Sequence, residues 1–277
     1  MEAQIARVIR SNELEFFRLD YNVDASIQGQ NANNGYIEHY SWRYYDALYA
    51  IYDRLRARFP DVVFENCAGG GERSDVGMVR RFAHTWVTDW QIAPRAFSIT
   101  NGMTMVLPPE YVDRLLGEGQ NGHTTAEIDF QARLLLFARP TVGYLSPFPA
   151  VRYPQQIERV RHMVELYKSF VRSFMSNGRI YHHTPEVASP EPLGWGVLEL
   201  ASNERDRGIT GIFQLSAPTS SEFRFIPHGL DVSRRYRVTF DNCGTRCSID
   251  GWALTQQGIT VRLEGALTSE LLIFQAE

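Results

Sequence analysis

The stretch FFRLDYN, residues 16–22, joins an aromatic and apolar run to a carboxylate and an amide. The run is typical of a buried strand, and it stops at Asp20. Residues 2–12, which precede it, place apolar side chains at intervals of three and four, so they predict a helix. An acid at the end of a strand that follows a helix is the pattern on which the fold prediction rests.

Strand-like and helix-like segments continue to alternate over the first two-thirds of the chain. The further strand candidates are DVVFENCAGGG (61–71), HTWVTDW (84–90), MTMVLP (103–108) and VGYLS (142–146). A polar loop is predicted at 24–35, and helices are predicted at 40–58, 74–82, 125–138 and 154–176. The repetition predicts an α/β fold, a partial (β/α) barrel of the TIM type with about five β/α units. Polar residues at the carboxyl ends of the strands lie where such barrels build their sites.

The pattern changes near residue 185. A Pro-rich connector, TPEVASPEPLGWG, covers residues 184–196. Seven short alternating runs follow it: WGVLELAS, ITGIFQLSA, SEFRFIP, RRYRVTF, SIDGWALT, GITVRLEG and ELLIFQA. Short runs separated by turn residues predict an antiparallel β-sandwich. We therefore predict two domains, a partial barrel over 1–185 and a β-sandwich over 190–277.

Composition restricts the classes of partner. The 277 residues carry a net charge of −4, and the arginines are scattered rather than clustered. A mildly acidic chain without a basic stripe favours neither nucleic acid nor an anionic membrane. No apolar run approaches the ~20 residues that a membrane-spanning helix needs. The N-terminal sequence lacks the apolar core of a signal peptide, so we expect a cytoplasmic protein.

No metal or organic cofactor is indicated. Cys243 and Cys247 form a single close pair, whereas a structural zinc site needs four ligands. They are interpreted as reduced thiols, with a local disulfide as the alternative. The histidines do not suggest a ligand set, and the adjacent His182 and His183, which come just before TPEVASPEPLGWG, are assigned to the connection between the two predicted domains.

Asp20 and Asp89 each end a predicted strand. Side chains at the ends of two strands of one barrel can converge, and a pair of carboxylates is the equipment for cleaving a glycosidic bond. Taken singly, each acid is better explained as a loop residue or a helix N-cap. The glycines of ENCAGGGERSD (65–75) permit close backbone approach to a ligand, but a tight turn also explains them, and the GK[ST] ending of a phosphate loop is missing.

The three motifs together are more specific. FFRLDYN, then ENCAGGGERSDVGM, then the Trp-x-x-Asp of WVTD resembles the α-galactosidase-type glycoside hydrolases of family 36. In that family a strand carries Lys-Trp-Asp-x-Asn, a later one Cys-x-Gly-Gly-Gly, and the next Trp-Thr-Ser-Asp. The order and spacing match over residues 1–180, and the resemblance is looser beyond.

The resemblance implies roles for individual residues. Asp20 would be the nucleophile and Asp89 the general acid/base, and Asn22 would hydrogen-bond the sugar. Cys67 and Gly69 would line the pocket near the sugar 2-position.

Three further residues complete the implied site. Arg73 and Asp75 would brace the glycine loop, and Trp86 would pack against a face of the sugar ring. Barrel packing is the alternative for Trp86, as a small buried apolar role is for Cys67.

The sequence also departs from the family pattern. Arg18 replaces the usual Lys and Leu19 the usual Trp, and WQIAPR (90–95) replaces the usual Asn-Thr-Asp-Ala. Arg18 would still contact substrate, but its planar head differs in shape from an ammonium. These changes affect the expected sugar specificity more than the expected reaction.

The position of the nucleophile is the largest departure. It lies on the fourth barrel strand in the family and at residue 20 here, so the resemblance implies that the first three strands are lacking. A partial barrel has open edges and an exposed apolar face, which need cover. We expect a homo-oligomer, a dimer in which each copy completes the other's barrel. A separate N-terminal chain or an inactive fragment is the alternative.

The resulting prediction is a retaining α-glycosidase that hydrolyses terminal α-galactosides without a cofactor. The competing interpretations are a catalytically inactive carbohydrate-binding or scaffold protein, and one subunit of a split enzyme.

Overall fold

The computed structural model describes residues 1–22, 30–39, 41–116, 126–143, 154–218 and 220–277. Within these residues the chain forms two compact units, Met1–Asp89 and Trp90–Glu277. The predicted loop residues 24–29 and residues 144–146 of the predicted strand VGYLS lie outside the described part.

The predicted domain boundary at 185–195 does not coincide with this division. In the second unit Phe137 and Phe213 pack in one hydrophobic core, with ring centroids 6.5 Å apart. Side chains from both sides of the predicted boundary therefore share an interior. The predicted domains stay a prediction about sequence modules, which need not end where compact units do.

The first unit alternates helices and strands. Its elements are α1 (Glu2–Ser11), β1 (Phe16–Asp20), β2 (Gln30–Asn33), β3 (Tyr36–His39), α2 (Ser41–Arg58), β4 (Val63–Cys67), α3 (Val76–Val79) and β5 (His84–Trp86). β4 lies between β1 and β5, and the three strands are parallel. β2 and β3 form an antiparallel hairpin. β2 falls inside the predicted loop 24–35, so that part of the loop prediction was wrong, and β3 begins directly after it.

The two faces of β1 differ in character. Phe17 points with Phe64 into a core that α1 and α2 complete, where Ile5 is also buried. Alternate residues of a strand face opposite sides, so Phe16 and Arg18 lie on the other face. Phe16 is 47% exposed there. The strand therefore has one face buried by helices and one that carries the polar residues of its carboxyl end.

The second unit begins with helices and a pair of parallel strands. Its first elements are α4 (Arg95–Thr104), a 3₁₀ turn (Pro109–Tyr111), β6 (Val112–Leu116), α5 (Ile128–Leu134), a 3₁₀ turn (Leu135–Phe137), β7 (Arg139–Val142) and α6 (Pro154–Leu166), which continues through a π turn (Tyr167–Val171) into α7 (Arg172–Met175). β6 and β7 pair in parallel. Of the helices predicted at 125–138 and 154–176, the structure has helical residues at 128–137 and 154–175.

The remainder of the second unit is antiparallel. Its elements are β8 (Arg179–His182), β9 (Trp195–Ala201), β10 (Arg207–Gln214), β11 (Glu222–Phe225), β12 (Arg235–Phe240), β13 (Arg246–Asp250), α8 (Gly251–Gln257), β14 (Ile259–Arg262) and β15 (Thr268–Ala276). Six strands form one sheet in the order β13-β12-β15-β10-β9-β8, and β11 pairs with β14. Ile212 and Phe274 of the larger sheet share a core with Phe225 and Val261 of the smaller one. A mixed α/β chain with parallel and antiparallel strands is thereby confirmed.

Two strand predictions were wrong. MTMVLP is not a strand, because α4 runs through Thr104. Pro108 and Pro109 then start the 3₁₀ turn that precedes β6, a strand that was not predicted. SIDGWALT is a strand only as far as Asp250, after which α8 begins.

Cys243 and Cys247 lie in the hairpin formed by β12 and β13, and both are free thiols. The disulfide alternative is therefore wrong.

Among the residues that the structure describes, no helix combines the length and the apolar character needed to cross a membrane.

Candidate active site

The carboxyl ends of β1, β4 and β5 meet at one edge of the first unit. Asp20 pairs with Cys67 at the ends of β1 and β4. In the neighbouring ladder Asn66 pairs with Thr85, and Trp86 follows as the last residue of β5. Parallel pairing in this register brings the ends of three strands together, although they are separated widely in sequence.

Asp20 stands at this edge with its side chain 44% exposed. Its Oδ2 lies 3.8 Å from Nη2 of Arg18, two residues earlier on the same face of β1. At this distance, and with this exposure, the pair leaves the carboxylate accessible to a ligand.

Arg18 contacts side chains of the two neighbouring strands. Its Nη1 lies 3.3 Å from Oε1 of Glu65, and its Nη2 donates to Sγ of Cys67 at 3.2 Å. Its guanidinium carbon lies 4.5 Å from the centroid of the Trp86 ring. The planar cation therefore contacts two neighbouring strands besides its own.

Cys67 is a buried thiol rather than a nucleophile. Burial raises its pKa to about 11, and the nearby Arg18 only partly offsets this. At neutral pH the side chain is therefore protonated, and a protonated thiol neither attacks carbon nor binds metal readily.

Two glycines bring the loop after β4 against the backbone of Asp89. Gly70 has a φ of +83°, and a Cβ there would lie 2.6 Å from the Asp89 nitrogen. A Cβ at Gly71 would lie 2.1 Å from the carbonyl oxygen of Val87. The side-chain-free backbone therefore packs against the segment after β5 that supplies the second acid.

Asn22 fastens the end of β1 to the same loop. Its Oδ1 accepts a hydrogen bond of 2.6 Å from the backbone nitrogen of Gly69. The buried Arg73 donates from Nη1 to the carbonyl oxygen of Tyr21 at 2.8 Å. Both contacts tie the residues next to Asp20 to the glycine loop.

Asp75 ends the loop by starting a helix. Its Oδ1 accepts from the Met78 nitrogen at 3.0 Å and from the Tyr49 hydroxyl at 2.7 Å. This carboxylate is therefore the N-cap of α3. Burial, together with the bond to Asp75, raises the pKa of Tyr49 to about 12, so the phenol stays protonated.

Trp86 connects to the second acid. Its Nε1 donates to Oδ1 of Asp89 at 2.8 Å, while Asp89 itself is exposed. The indole is only 6% exposed, and the Arg18 guanidinium lies over its ring. Its observed contacts are therefore with Arg18 and Asp89, and packing against a sugar stays a prediction.

Two residues of this edge, Glu65 and Asn66, were not predicted from the sequence. Glu65, buried beside Arg18, lies two residues before Cys67 and therefore on the same face of β4. Asn66 donates to the carbonyl oxygen of Arg73 and to the hydroxyl of Thr85, both at 2.7 Å. Polar residues inside an otherwise apolar strand were the available signal.

The part of the chain that forms this strand edge matches a known family. The family model described as Melibiase matches residues 1–178, which include the whole of this strand edge. The chain belongs to the melibiase family. It is 24% identical over 277 residues to "Probable alpha-galactosidase C" of Aspergillus flavus, covering 99% of this chain and 34% of the relative.

Solved structures agree on the fold. The galactosidase domain of the alpha-galactosidase-sucrose kinase AgaSK superposes with a TM-score of 0.80 at 19% identity, covering 100% of this melibiase-family chain and 36% of that one. A variant of the GH36 alpha-galactosidase AgaA from Geobacillus stearothermophilus, in complex with stachyose, gives 0.79 at 19% identity, covering 100% and 37%. The chain therefore spans about a third of the length of these relatives.

Proposed function

We propose that this chain carries the catalytic carboxylates of a retaining α-glycosidase that hydrolyses terminal α-galactosides. Family membership supports the reaction class. The observation that carries the assignment is the bond from Trp86 to Asp89 at the strand edge where β1 ends in the exposed Asp20.

The reaction has two displacements. In the first, an oxygen of Asp20 bonds to the anomeric carbon as the bond to the leaving oxygen breaks, and Asp89 transfers its proton to that oxygen. In the second, Asp89 takes a proton from water as the water oxygen attacks the same carbon and releases Asp20. Two inversions give net retention, and both carboxyl groups return to their starting protonation.

Neighbouring residues would bind the sugar. Asn22, Cys67 and Gly69 surround the end of β1 and offer amide, thiol and backbone groups to hydroxyls. Arg18 and Trp86 would form the wall beneath them, and Arg73 would keep the loop in place. The stachyose complex of the AgaA variant makes an oligosaccharide with a terminal α-galactosyl group the first substrate to try.

We further propose that the parallel strands belong to a partial barrel, with the antiparallel strands as a sandwich, and that a second copy covers β1. Within the described part of the first unit β1 pairs with β4 alone. Phe16 and Val63 are exposed at 47% and 37%. A free edge beside exposed apolar residues favours association.

Light scattering tests this association. We expect a dimer that F16D converts to monomer, while V106D, a change at an apolar residue 71% exposed in the second unit, leaves the mass unchanged. A wild-type monomer at all concentrations would contradict the dimer and favour the split-enzyme alternative, in which another chain supplies the cover.

Azide rescue tests the reaction. D20A and D89A should each lower turnover of an aryl α-galactoside by at least about a thousandfold. Azide should then yield a β-galactosyl azide from D20A and an α-galactosyl azide from D89A, because only the second reacts through a covalent intermediate. D61A, at an exposed acid near the opposite end of β4, is the matched control.

A wild type no faster than D20A on any α-galactoside would overturn the catalytic proposal. Retained binding of galactose in that case would identify a carbohydrate-binding protein.

A further inference from the structure

We propose that Arg18 and Trp86 act as a positioning pair that couples the carboxylate of Asp20 to that of Asp89. The inference rests on the proposed function insofar as it assigns both acids to one reaction. It changes the role of Arg18 from a contact with substrate to a link between the two reacting groups.

The contacts form a continuous path. Oδ2 of Asp20 lies 3.8 Å from Nη2 of Arg18, and the same guanidinium lies 4.5 Å from the centroid of the Trp86 ring. Nε1 of Trp86 then donates to Oδ1 of Asp89 at 2.8 Å. One cation and one indole therefore span the distance between an acid on β1 and an acid after β5.

The middle of the path is fixed and its ends are accessible. Trp86 is buried, and Arg18, although exposed, is held by the buried Glu65 at 3.3 Å and by Sγ of Cys67 at 3.2 Å. Asp20 and Asp89 are both exposed. A pair held by these contacts restricts the two exposed carboxylates and leaves them accessible to a ligand.

Arginine suits this place in a way that lysine does not. Its guanidinium carbon lies 4.5 Å from the centroid of the indole, while Nη1 lies near Glu65 and Nη2 lies near Cys67 and Asp20. The ammonium of a lysine is a compact point charge, so it cannot contact the indole ring and also reach all three polar side chains. The shape of Arg18, and not its charge alone, therefore allows it to contact Asp20 and Trp86 together.

Nuclear magnetic resonance tests the path without requiring turnover. The protein has five tryptophans, so W86F identifies the indole N–H signal of Trp86. We expect D20N to shift that signal in the wild-type background and to leave it unmoved in an R18M background. In an R18K background, which keeps the charge, D20N should shift the Trp86 signal by less than half as much as it does in the wild-type background.

Control variants separate coupling from general disturbance. R10K changes an arginine that lies 5.7 Å over the Phe59 ring away from the strand edge, and it should leave the Trp86 signal unmoved. The other four indole signals report whether each variant is folded. No shift with D20N, or an equal shift with and without Arg18, would overturn the coupling.

Kinetics distinguish positioning from substrate contact. R18K should lower kcat about tenfold with KM changed less than about twofold, whereas loss of a simple substrate contact raises KM at constant kcat. W252F, at an exposed tryptophan of the second unit, should change neither. If the azide test fails, the proposed reaction falls, while the resonance test still decides whether Arg18 couples Asp20 to Trp86.

Discussion

Two carboxylates, Asp20 in the first unit and Asp241 in the second, use the same chemical group in opposite ways. Asp20 is exposed, and its ion pair with Arg18 measures 3.8 Å. Asp241 is buried, and it contacts Nη2 of Arg133 at 2.6 Å, Nη2 of Arg159 at 2.7 Å and Nε2 of His162 at 2.5 Å. The first keeps acceptor capacity for a ligand, while that of the second is used within the fold.

The surroundings of Asp241 show what its contacts stabilise. Arg133 on α5 is fully buried, and its Nη1 also donates to the carbonyl oxygen of Ser269 at 2.6 Å. Arg159 and His162 lie on α6, so the carboxylate joins two helices to the end of β12. A carboxylate whose acceptors are all used within the fold stabilises the structure, whereas one that stays accessible can contact a ligand.

The largest expected effect on stability comes from D241N. The change leaves buried Arg133 without its nearest counter-charge, so we expect the free energy of unfolding to fall by about 3–5 kcal/mol. Urea unfolding followed by tryptophan fluorescence measures it. D20N is the matched variant, and it should change stability by less than about 0.5 kcal/mol. Equal losses in the two variants would remove the distinction between the carboxylates.

The second-largest expected effect is at Gly70, which is compared with Gly194 because the two have similar positive φ values. G70A should cost about 1–3 kcal/mol and also lower turnover, because the new methyl group would meet the Asp89 backbone. G194A introduces a side chain at a φ of +76° with open space around it, so its cost should come from strain alone, about 1 kcal/mol.

Circular dichroism melting and turnover of the same preparations make this comparison. A G70A variant with wild-type turnover would show that the glycine loop does not position Asp89.

The smallest expected effect is on how the stability of the fold depends on pH in the acid range. Burial alone would raise the pKa of Asp241, but the bond and charge of Arg133, with His162, hold it below its ordinary value of 3.8. The folded state therefore binds this proton more weakly, and the stabilisation is present above pH 3.8 and lost as pH falls through the folded pKa. We expect the urea midpoint of the wild type to fall in that range, and that of D241N to fall less.

Glu270 must be separated from this effect. Burial raises its pKa, so its contribution to stability increases as pH falls and has the opposite sign. E270Q removes that contribution and should leave the acid-dependent loss caused by Asp241 in place. An identical pH dependence in wild type and D241N would contradict the assignment.

Local sequence patterns predicted several helices and strands of the first unit. The spacing of apolar residues located α1 and α2, and apolar runs that stop in polar residues located β1, β4 and β5. MTMVLP failed because the same apolar letters serve the end of a helix, and periodicity over six residues cannot separate the two.

The site was predictable only in its residue types. Motif order placed Asp20, Asn22, Cys67 and Asp89 in one neighbourhood, and their roles stay a prediction. The contact between Arg18 and Trp86 joins residues 68 positions apart, so it depends on strand register that no local pattern contains. Glu65 was missed because an acid within a strand is usually solvated.

The raised pKa of Cys67 has a consequence for durability. Peroxides attack the thiolate, and with a pKa of about 11 only about one molecule in ten thousand carries a thiolate there at pH 7. The strand edge therefore holds a sulfur atom beside Arg18 and Asp20 while presenting almost no target to oxidants. A pocket of this kind keeps its shape under conditions that would modify a solvent-exposed cysteine such as Cys243.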